Sequence, residues 1–251
     1  MIERLKLLWH RREDEAWNEG DPLVSVYIPT HNRSDLLWDR ALKSVLVQTY
    51  HNLDVVVVAH GCTDHTGQQV WAHGLVDDSR LRIVEIVRTI AYPPTAENHW
   101  YAGRVEPANA GLEACRGKWI ATIDDDDVWE PDHIESVLRF AQKHDLEFVS
   151  AAGDTHKGPI PPYDVHGVTV GPLQTWLYRD YLKFMRFNPN CWKKNWNKVC
   201  DTDLQDRFVR AGVRMGYLDK VNVHVRPRPG EKTVGLAAYR QNRTAIEKHY
   251  A

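Results

Sequence analysis

Four consecutive aspartates follow a short apolar run in the stretch KWIATIDDDDVWEP, residues 118–131. The carboxylates of Asp124–Asp127 repel one another, and each loses hydration if its surroundings are apolar. A solvated acidic turn would explain such a run, and so would a bound cation that offsets the repulsion. Alternate residues of an extended segment point the same way, so Asp124 and Asp126 can face one site while Asp125 faces another. Because one or two carboxylates with phosphates and water usually hold Mg²⁺, the spacing favours a Mg²⁺ or Mn²⁺ site.

A calcium-binding loop is a competing explanation, because Glu135 is the twelfth residue counted from Asp124. The sixth position of such a loop requires glycine for its sharp turn, and this chain has Trp129 there. We therefore exclude a calcium loop.

Strand-like apolar runs alternate with helical patterns in the first part of the chain. The predicted strands are Leu23–Pro29, Val55–Ala59, Leu81–Val87 and residues 118–123. Helical patterns start near Ser34, at residue 108 and at Pro131, while residues 88–107 are predicted to be a loop because prolines interrupt them. This alternation predicts an α/β fold, in which helices cover both faces of a mostly parallel sheet.

Three polar motifs stand directly after predicted strands. PTHNR (residues 29–33) follows the first strand, HGCTD (residues 60–64) the second, and DDDD (residues 124–127) the fourth. The carboxyl ends of parallel strands meet at one edge of the sheet, which is where open α/β folds bind ligands. We therefore expect the three motifs to surround one ligand site.

Composition restricts the class of protein. Hydrophobic residues make up 43% of the chain and charged residues 26%, as in ordinary globular proteins. The formal net charge of -2 argues against nucleic-acid binding by bulk electrostatics. The start of the chain lacks the order of a secretory signal, and four widely spaced cysteines favour a reducing cytosol. Residues Ile2–Trp9 mix apolar and basic types, so they predict a helix that either packs on its own domain or lies on an anionic membrane.

Two stretches of the chain resemble the nucleotide-binding region of family 2 glycosyltransferases, which have the GT-A fold. They are VSVYIPTHNRSDLLWDRALKSVLVQTYHNLDVVVVAHGCTDHT and ANAGLEACRGKWIATIDDDDVWEPDHIE. The resemblance runs from about Leu23 to His144 and, more weakly, through DTDLQDRFVRAG at residues 201–212. It implies a GT-A-like, Rossmann-type sheet with a mixed C-terminal half on the acceptor side. It also implies an inverting sugar transfer from a nucleotide-sugar donor, assisted by Mn²⁺ or Mg²⁺.

We accordingly expect one GT-A-like domain over residues 1–251. Residues 1–22 would form an N-terminal helical extension, and residues 23–151 the half that binds the nucleotide sugar. Residues 152–251 would form the acceptor-side half and a C-terminal tail.

The resemblance also implies roles for individual residues. The donor-binding candidates are Pro29, Thr30, Arg33, His60, Asn109, Arg116, Asp124 and Asp125, and the metal-ligand candidates are Asp126, Asp124 and His224. Asp201 matches the position of the catalytic base, and Asp203 is the second choice. The acceptor-side candidates are Arg226 and, because tryptophan faces can stack on sugars, Trp192 and Trp196.

Departures from the family pattern leave several assignments open. The family usually has two acids after the second strand, where this chain has Ala59 and His60. The donor base is therefore open: UDP is slightly favoured, and GDP or dTDP would also fit. Cys200 stands where the family often has Glu, and Asp201 would serve equally as a helix N-cap.

Four of these candidates also have a purely structural explanation. Arg116 would simply be solvated on a helix, and His224 would be a satisfied structural histidine. Trp192 and Trp196 would belong to a partly buried surface loop instead of stacking on a sugar.

The function we predict is a hexosyltransferase-type enzyme of polysaccharide or glycoconjugate synthesis. Its partners would be a nucleotide sugar and a carbohydrate or glycolipid acceptor, in the cytoplasm or at the inner face of the membrane. A non-catalytic nucleotide- or sugar-binding protein with a degenerate GT-A fold is the alternative. A sugar nucleotidyltransferase is a weaker one, since PTHNR lacks that class's glycine-rich phosphate loop.

Overall fold

A computed structural model of the protein describes residues 2–13, 20–72, 78–89, 95–193 and 198–250. The helices are α1 (Ile2–Glu13), α2 (Ser34–Leu37), α3 (Lys43–Leu46), α4 (Thr66–Val70), α5 (Ala96–Ala102), α6 (Val105–Ala114), α7 (His133–Lys143), α8 (Cys200–Ala211), α9 (Gly235–Gln241) and α10 (Arg243–Tyr250). A π-helical turn, Trp38–Leu42, joins α2 to α3, and 3₁₀ turns cover Leu173–Thr175 and Asp180–Phe184.

The strands are β1 (Val24–Thr30), β2 (Leu53–His60), β3 (Leu81–Ile86), β4 (Trp119–Thr122), β5 (Val128–Trp129), β6 (Phe148–Thr155), β7 (Gly158–Pro159), β8 (Tyr163–Val165), β9 (Val168–Val170), β10 (Leu177–Arg179) and β11 (Met215–Val225). Nine strands of the described residues form one sheet in the order β3-β2-β1-β4-β10-β6-β11-β5, with β7 beside β6, while β8 and β9 form a separate hairpin. The strands β1, β2, β3, β4, β6 and β11 all point the same way, and β5, β7 and β10 run against them. The predicted α/β fold with a mostly parallel sheet is confirmed.

Strand β2 illustrates how the sequence determines the layers. All eight of its residues are buried. Because successive side chains of a strand point to opposite faces, Val56 and Val58 pack against one core, and Val55 and Val57 against the other. Helices α6 and α8 cover the first face, and α2, α3 and α7 cover the second. Each fully buried valine stabilises the fold by roughly 1.5–3 kcal/mol relative to an exposed one.

Helix α5 and the first turn of α6 lie within residues 95–107, so the predicted loop over residues 88–107 is wrong in this part. The side chain of Thr95 caps α5 by accepting a hydrogen bond from the backbone N–H of Asn98 at 3.1 Å. Pro107 lies in the first turn of α6, where a helix leaves its N–H groups without an intrahelical partner. Residues 90–94 of the predicted loop lie outside the described residues.

Helix α1 is fixed to the body of the protein at the amino end of β6. The Arg11 guanidinium donates hydrogen bonds to the Glu147 carboxylate and, at 2.7 Å, to the backbone oxygen of Gly212. Leu7 is fully buried, whereas Ile2, Leu5, Leu8 and Trp9 are exposed. Among the described residues, no helix has the length and apolar character that crossing a membrane requires.

Candidate active site

A cavity of about 400 Å³ opens at the carboxyl ends of β1, β2 and β4. The first half of the chain lines it with Pro29, Thr30, Arg33, His60, Trp100, Arg104 and Asp124–Asp127. The second half contributes Tyr163, Gln174, Asp201, Arg226, Arg228 and Tyr239. The three strand-end motifs therefore do meet at one site, as their positions after parallel strands predicted.

Asp125 connects the loop after β4 to the loop after β1. Its carboxylate accepts a hydrogen bond from the Thr30 hydroxyl at 2.8 Å and forms an ion pair with the Arg33 guanidinium at 3.0 Å. Burial raises the pKa of Asp125, while the Arg33 guanidinium acts against that rise. Both carboxylate oxygens of Asp125 are therefore engaged by side chains of the protein itself.

Asp124, Asp126 and Asp127 form the acidic cluster of the cavity. Each offers one carboxylate oxygen, and these oxygens lie within 4.8 Å of one another. Burial raises the pKa of Asp127 well above its usual value, and the Asp126 and Asp124 carboxylates raise it further. Hard oxygen donors grouped at this spacing suit Mg²⁺ or Mn²⁺, and a divalent ion would relieve their mutual repulsion. The residues present therefore fit a divalent metal.

Arginines that the sequence analysis missed oppose the acidic cluster. Arg104, just before α6, pairs with Asp124 at 3.0 Å, and the Gln174 side-chain amide donates to the same carboxylate at 2.7 Å. Arg228, after β11, donates from Nε to Asp126 at 2.6 Å. Arg104 and Gln174 belong to no motif with recognisable spacing, whereas Arg228 stands only two residues after the candidate Arg226 and was overlooked.

The segment after β11 closes one side of the cavity. Arg40, in the π-helical turn, donates to the backbone oxygens of Asp126 at 2.7 Å and Pro227 at 2.9 Å. The Arg228 guanidinium lies over the Tyr239 ring of α9, 5.5 Å from its centroid. Helix α9 thus becomes a wall of the cavity and is coupled to the acidic cluster through Arg228.

Asp201 and Asp203, the two candidate bases, have different surroundings. Asp201 is the second residue of α8 and lines the cavity; its carboxylate accepts the backbone N–H of Thr202 at 2.7 Å. Burial raises the pKa of Asp201, while the Thr202 N–H and Arg104 act against the rise. The N-cap position of the helix is Val199, so Asp201 is not the N-cap residue, although its carboxylate does satisfy one N–H group of the first turn. Asp203 lies outside the cavity lining and pairs with Arg207 at 3.1 Å.

Arg104 is the residue that relates Asp201 to the acidic cluster. Its pKa is raised in spite of burial, chiefly by the Asp124 carboxylate, with a smaller contribution from Asp201. Its guanidinium also donates to the Thr122 hydroxyl at 3.1 Å, which fixes it to the end of β4. One buried cation therefore acts on carboxylates that belong to the two halves of the chain.

His60, at the end of β2, is held by a carboxylate that the sequence analysis did not consider. Its Nε2 lies 2.9 Å from Glu106 of α6, and its backbone oxygen contacts the His31 ring at 2.7 Å. Burial lowers the pKa of His60, although Glu106 acts in the opposite direction. An acidic group therefore does lie beside the end of β2, but α6 supplies it.

His224 lies apart from the acidic cluster. Its two ring nitrogens are 2.7 Å from Asp154 and 2.6 Å from Glu130. Burial alone would lower the pKa of His224, but hydrogen bonds to Glu130 and Asp154 raise it. Arg226 lines the cavity and pairs with Asp154 at 3.2 Å. The structure thus brings Arg226, but not His224, to the cavity.

Three further candidates are placed away from the cavity. Asn109 exchanges two hydrogen bonds with the backbone of Phe187, at 2.9 and 3.0 Å. Arg116 is exposed near the amino end of β1, where its backbone N–H contacts the Ser25 hydroxyl at 2.9 Å. The Trp192 indole N–H donates to the backbone oxygen of Pro189 at 3.0 Å.

Trp196, the other half of the suggested aromatic platform, lies outside the described residues. Two aromatic side chains that the sequence analysis did not single out, Trp100 and Tyr163, line the cavity.

Comparison with known proteins relates the chain to sugar-transferring enzymes. It is 24% identical over 198 residues to WfaP of Escherichia coli, described as UDP-Glc:alpha-D-GlcNAc-diphosphoundecaprenol beta-1,3-glucosyltransferase; the match covers 79% of this chain and 66% of WfaP. Three further curated glycosyltransferases match about half of the chain, which spans only 35%, 38% and 40% of their lengths.

Solved structures share the fold. TarS of S. aureus in complex with UDP-GlcNAc superposes with a TM-score of 0.61 at 18% identity, covering 90% of this chain and 69% of that one. The mannosyltransferase PcManGT of Pyrobaculum calidifontis, in complex with GDP-Man and Mn2+, gives 0.61 at 17% identity, covering 98% of this chain and 70% of that one. The sequence matches the profile of "Glycosyl transferase family 2" over residues 25–203. Since that match spans well over half of the chain, the protein belongs to glycosyl transferase family 2.

Proposed function

We propose that the chain transfers a hexose from a nucleotide-sugar donor to a hydroxyl of a carbohydrate acceptor, with inversion at the anomeric carbon. The observation that carries this proposal is a single cavity in which arginine-opposed carboxylates at the strand ends share Arg104 with the desolvated Asp201. The first group suits a metal-bound diphosphate, and Asp201 suits a proton acceptor. A site that only binds a ligand has no need for a partly buried carboxylate at the position of Asp201.

The donor half of the reaction belongs to the loops after β1, β2 and β4. Pro29, Thr30 and Arg33 line the cavity where the nucleotide would lie, and Arg33 is held in place by Asp125. A divalent ion, Mn²⁺ or Mg²⁺, held by the acidic cluster would neutralise charge that develops on the leaving diphosphate. A UDP-sugar is slightly favoured, because WfaP is named for UDP-Glc and TarS binds UDP-GlcNAc, whereas PcManGT binds GDP-Man.

Asp201 would act as the general base. As the acceptor oxygen forms its bond to the anomeric carbon, the hydroxyl proton passes to Asp201. The bond between that carbon and the diphosphate oxygen breaks, and the electron pair leaves with the diphosphate. One displacement on the face opposite the leaving group inverts the centre, so no covalent enzyme intermediate is required. General-base assistance of this kind typically contributes ~10²–10⁴ in rate.

The acceptor would be a carbohydrate, and a lipid-linked one is the class we favour. WfaP is named for an acceptor carried on diphosphoundecaprenol. Trp100 and Tyr163 offer ring faces on which a sugar can pack, in the role first suggested for Trp192 and Trp196. We further propose that residues 23–151 bind the donor and that residues 152–251 complete the acceptor side.

Helix α1 supports a peripheral location at the inner face of a membrane. Its outward face carries Ile2, Leu5, Leu8 and Trp9, each between 44% and 71% exposed. Arg4 is also exposed on this helix, so cations accompany the apolar face, as on helices that lie on anionic membranes.

A thermal-shift screen of UDP, GDP, dTDP and CDP, each with and without Mn²⁺, tests the donor site. A ligand at about 100 times its dissociation constant stabilises the fold by about 2.7 kcal/mol. We expect one nucleotide to stabilise the protein only when Mn²⁺ is present, and Asp126→Ala to abolish that effect. If no nucleotide shifts the melting temperature with Mn²⁺ present, the donor site is refuted.

Release of nucleotide from the matching nucleotide sugar, measured with a panel of alkyl-diphosphate-linked sugars, then tests turnover. If a nucleotide binds but no acceptor supports turnover, the non-catalytic binding protein becomes the better description. Formation of a nucleotide sugar from a nucleoside triphosphate and a sugar phosphate would instead identify a nucleotidyltransferase.

A further inference from the structure

Arg228 forms an ion pair with one of the carboxylates that would hold the metal. Its Nε donates to Asp126 Oδ2 at 2.6 Å, and 24% of the Arg228 side chain and 13% of the Asp126 side chain are exposed. The same Asp126 belongs to the three-carboxylate cluster whose oxygens lie within 4.8 Å of one another. A guanidinium and a divalent cation therefore compete for one partly desolvated anion.

We propose that Arg228 is an internal counter-ion that holds Asp126 in the metal-free protein and moves to the donor diphosphate when the metal binds. This inference rests on the metal-assisted donor site proposed above. It adds a specific donor-binding residue and a reason why metal and nucleotide should bind together.

The charge balance of the cavity supports the exchange. Four aspartates, Asp124–Asp127, face three arginines that are paired with them, namely Arg33, Arg104 and Arg228. Even with all four carboxylates ionised, this set lacks only one positive charge, so a divalent cation leaves at least one positive charge in surplus. Like charges at one carboxylate repel, so Arg228 is driven off Asp126, and the surplus attracts an anion such as a diphosphate.

The surroundings of Arg228 allow its side chain to move while its backbone stays in place. Arg40 holds the backbone oxygens of Arg226 at 3.3 Å and Pro227 at 2.9 Å. Glu231, at 3.5 Å, and the Tyr239 ring, at 5.5 Å, also lie beside the guanidinium in the cavity. After leaving Asp126 it would therefore remain inside the cavity, within the space where a diphosphate is expected.

Mn²⁺ binding to the whole chain, followed by electron paramagnetic resonance of free Mn²⁺ with and without UDP, tests the exchange. Arg228→Gln should bind Mn²⁺ alone roughly tenfold more tightly than wild type, because its competitor is gone. The same variant should bind UDP in the presence of Mn²⁺ roughly tenfold more weakly, because the diphosphate has lost a cation. Arg228→Lys keeps the charge, so its Mn²⁺ affinity should stay near that of wild type.

Arg240→Gln is the matched control. It removes one positive charge from the same C-terminal region, but Arg240 is exposed and pairs with Glu97 at 3.2 Å. Both of its affinities should equal those of wild type. If the Arg228→Gln protein unfolds below the assay temperature, Arg228→Met replaces it in the test. The unbranched methionine side chain can still pack on Tyr239.

The possible results separate this inference from the proposed function. If wild type binds no Mn²⁺ even with UDP present, the metal-assisted donor site itself fails. If wild type binds Mn²⁺ and Arg228→Gln binds it equally or less tightly, the donor site stands and the counter-ion exchange is overturned. Tighter Mn²⁺ binding with unchanged UDP binding overturns the contact to the diphosphate. Opposite changes in the two affinities support the exchange.

Discussion

Replacement of Asp201 by asparagine should separate turnover from donor binding. Asp201 lines the cavity at the start of α8, and asparagine preserves the shape of the side chain but cannot take a proton. Loss of a general base typically costs ~10²–10⁴ in kcat, which corresponds to about 2.7–5.4 kcal/mol of activation free energy. Binding of UDP with Mn²⁺ should be unchanged, because the carboxylates proposed to hold the metal are elsewhere.

The same variant should not lower the stability of the fold at neutral pH. Burial raises the pKa of Asp201 above its ordinary value of 3.8, so the folded protein holds this proton more tightly than the unfolded chain. The stabilisation that this proton gives is complete below the unfolded pKa and is lost as pH rises through the folded pKa. An asparagine has no such loss, so the melting temperature of Asp201→Asn at neutral pH should equal or exceed that of wild type.

The pH profile provides a second readout of the same residue. A general base must be ionised, and a raised pKa moves the acid limb of kcat/KM above the pH range of an ordinary aspartate. Arg104 acts against the rise, so Arg104→Gln should move the acid limb to still higher pH. Nucleotide release measured from low to neutral pH would detect both effects.

Asp203→Asn is the matched comparison for Asp201→Asn. It removes an equal charge two residues along the same helix, from a carboxylate that pairs with Arg207 outside the cavity lining. We expect turnover within about threefold of wild type and only a small loss of stability, as for a partly exposed ion pair. If Asp201→Asn keeps its turnover, or if Asp203→Asn loses it while still binding UDP, the assignment of the base is refuted.

Three other substitutions test the fold and its surface. Glu147→Ala should destabilise the protein by about 3–5 kcal/mol in urea unfolding, since it leaves the Arg11 charge without its buried partner. The pKa of Glu147 is lowered although burial opposes this, so the wild-type contribution should be present above the ordinary glutamate pKa and fade as pH falls through the folded value. In Gly111→Ala the new Cβ would lie 2.6 Å from the Tyr27 ring, so we expect a loss of about 1–3 kcal/mol where an open helical site would gain about 1 kcal/mol; a gain in melting temperature would contradict the packing argument. Leu5→Asp should lower the fraction of protein that co-sediments with anionic lipid vesicles, without changing the melting temperature. Equal vesicle binding by wild type and variant would exclude α1 as the membrane contact.

The parts of the fold that could be predicted from the sequence are those whose signal is local. The apolar run Val55–Ala59 predicted a buried strand, and the structure extends it by a few residues to Leu53–His60. The limits of β11 are not evident from the sequence, because its first half contains Gly216, Asp219 and Lys220, and its pairing with β6 shifts register after Leu218. Side chains from neighbouring elements stabilise such a strand, and a single sequence does not contain that information.

Gly111 illustrates a feature that the sequence could locate but not explain. It lies in the middle of α6, where glycine is about 1 kcal/mol less favourable than alanine. The reason becomes visible only in the folded chain, because the helix crosses Tyr27 of β1 so closely that no Cβ fits. The glycine in this helix is thus a packing requirement of the sheet.

The contrast between local and distant signals also explains why the acids of the site could be predicted from the sequence and their arginine partners could not. The acids of the cavity are consecutive and directly follow a strand, so the sequence alone predicts that they lie at the ligand-binding edge of the sheet. Their counter-ions are scattered: Arg104 stands 20 residues before Asp124, and Arg228 stands 102 residues after Asp126. A repulsive cluster of this kind requires cations from somewhere, so its presence in a sequence implies partners without naming them. Arg228 comes from the segment after β11, so the second half of the chain helps to set the charge of the proposed donor site. Substitutions in that half should therefore alter metal affinity as well as acceptor choice.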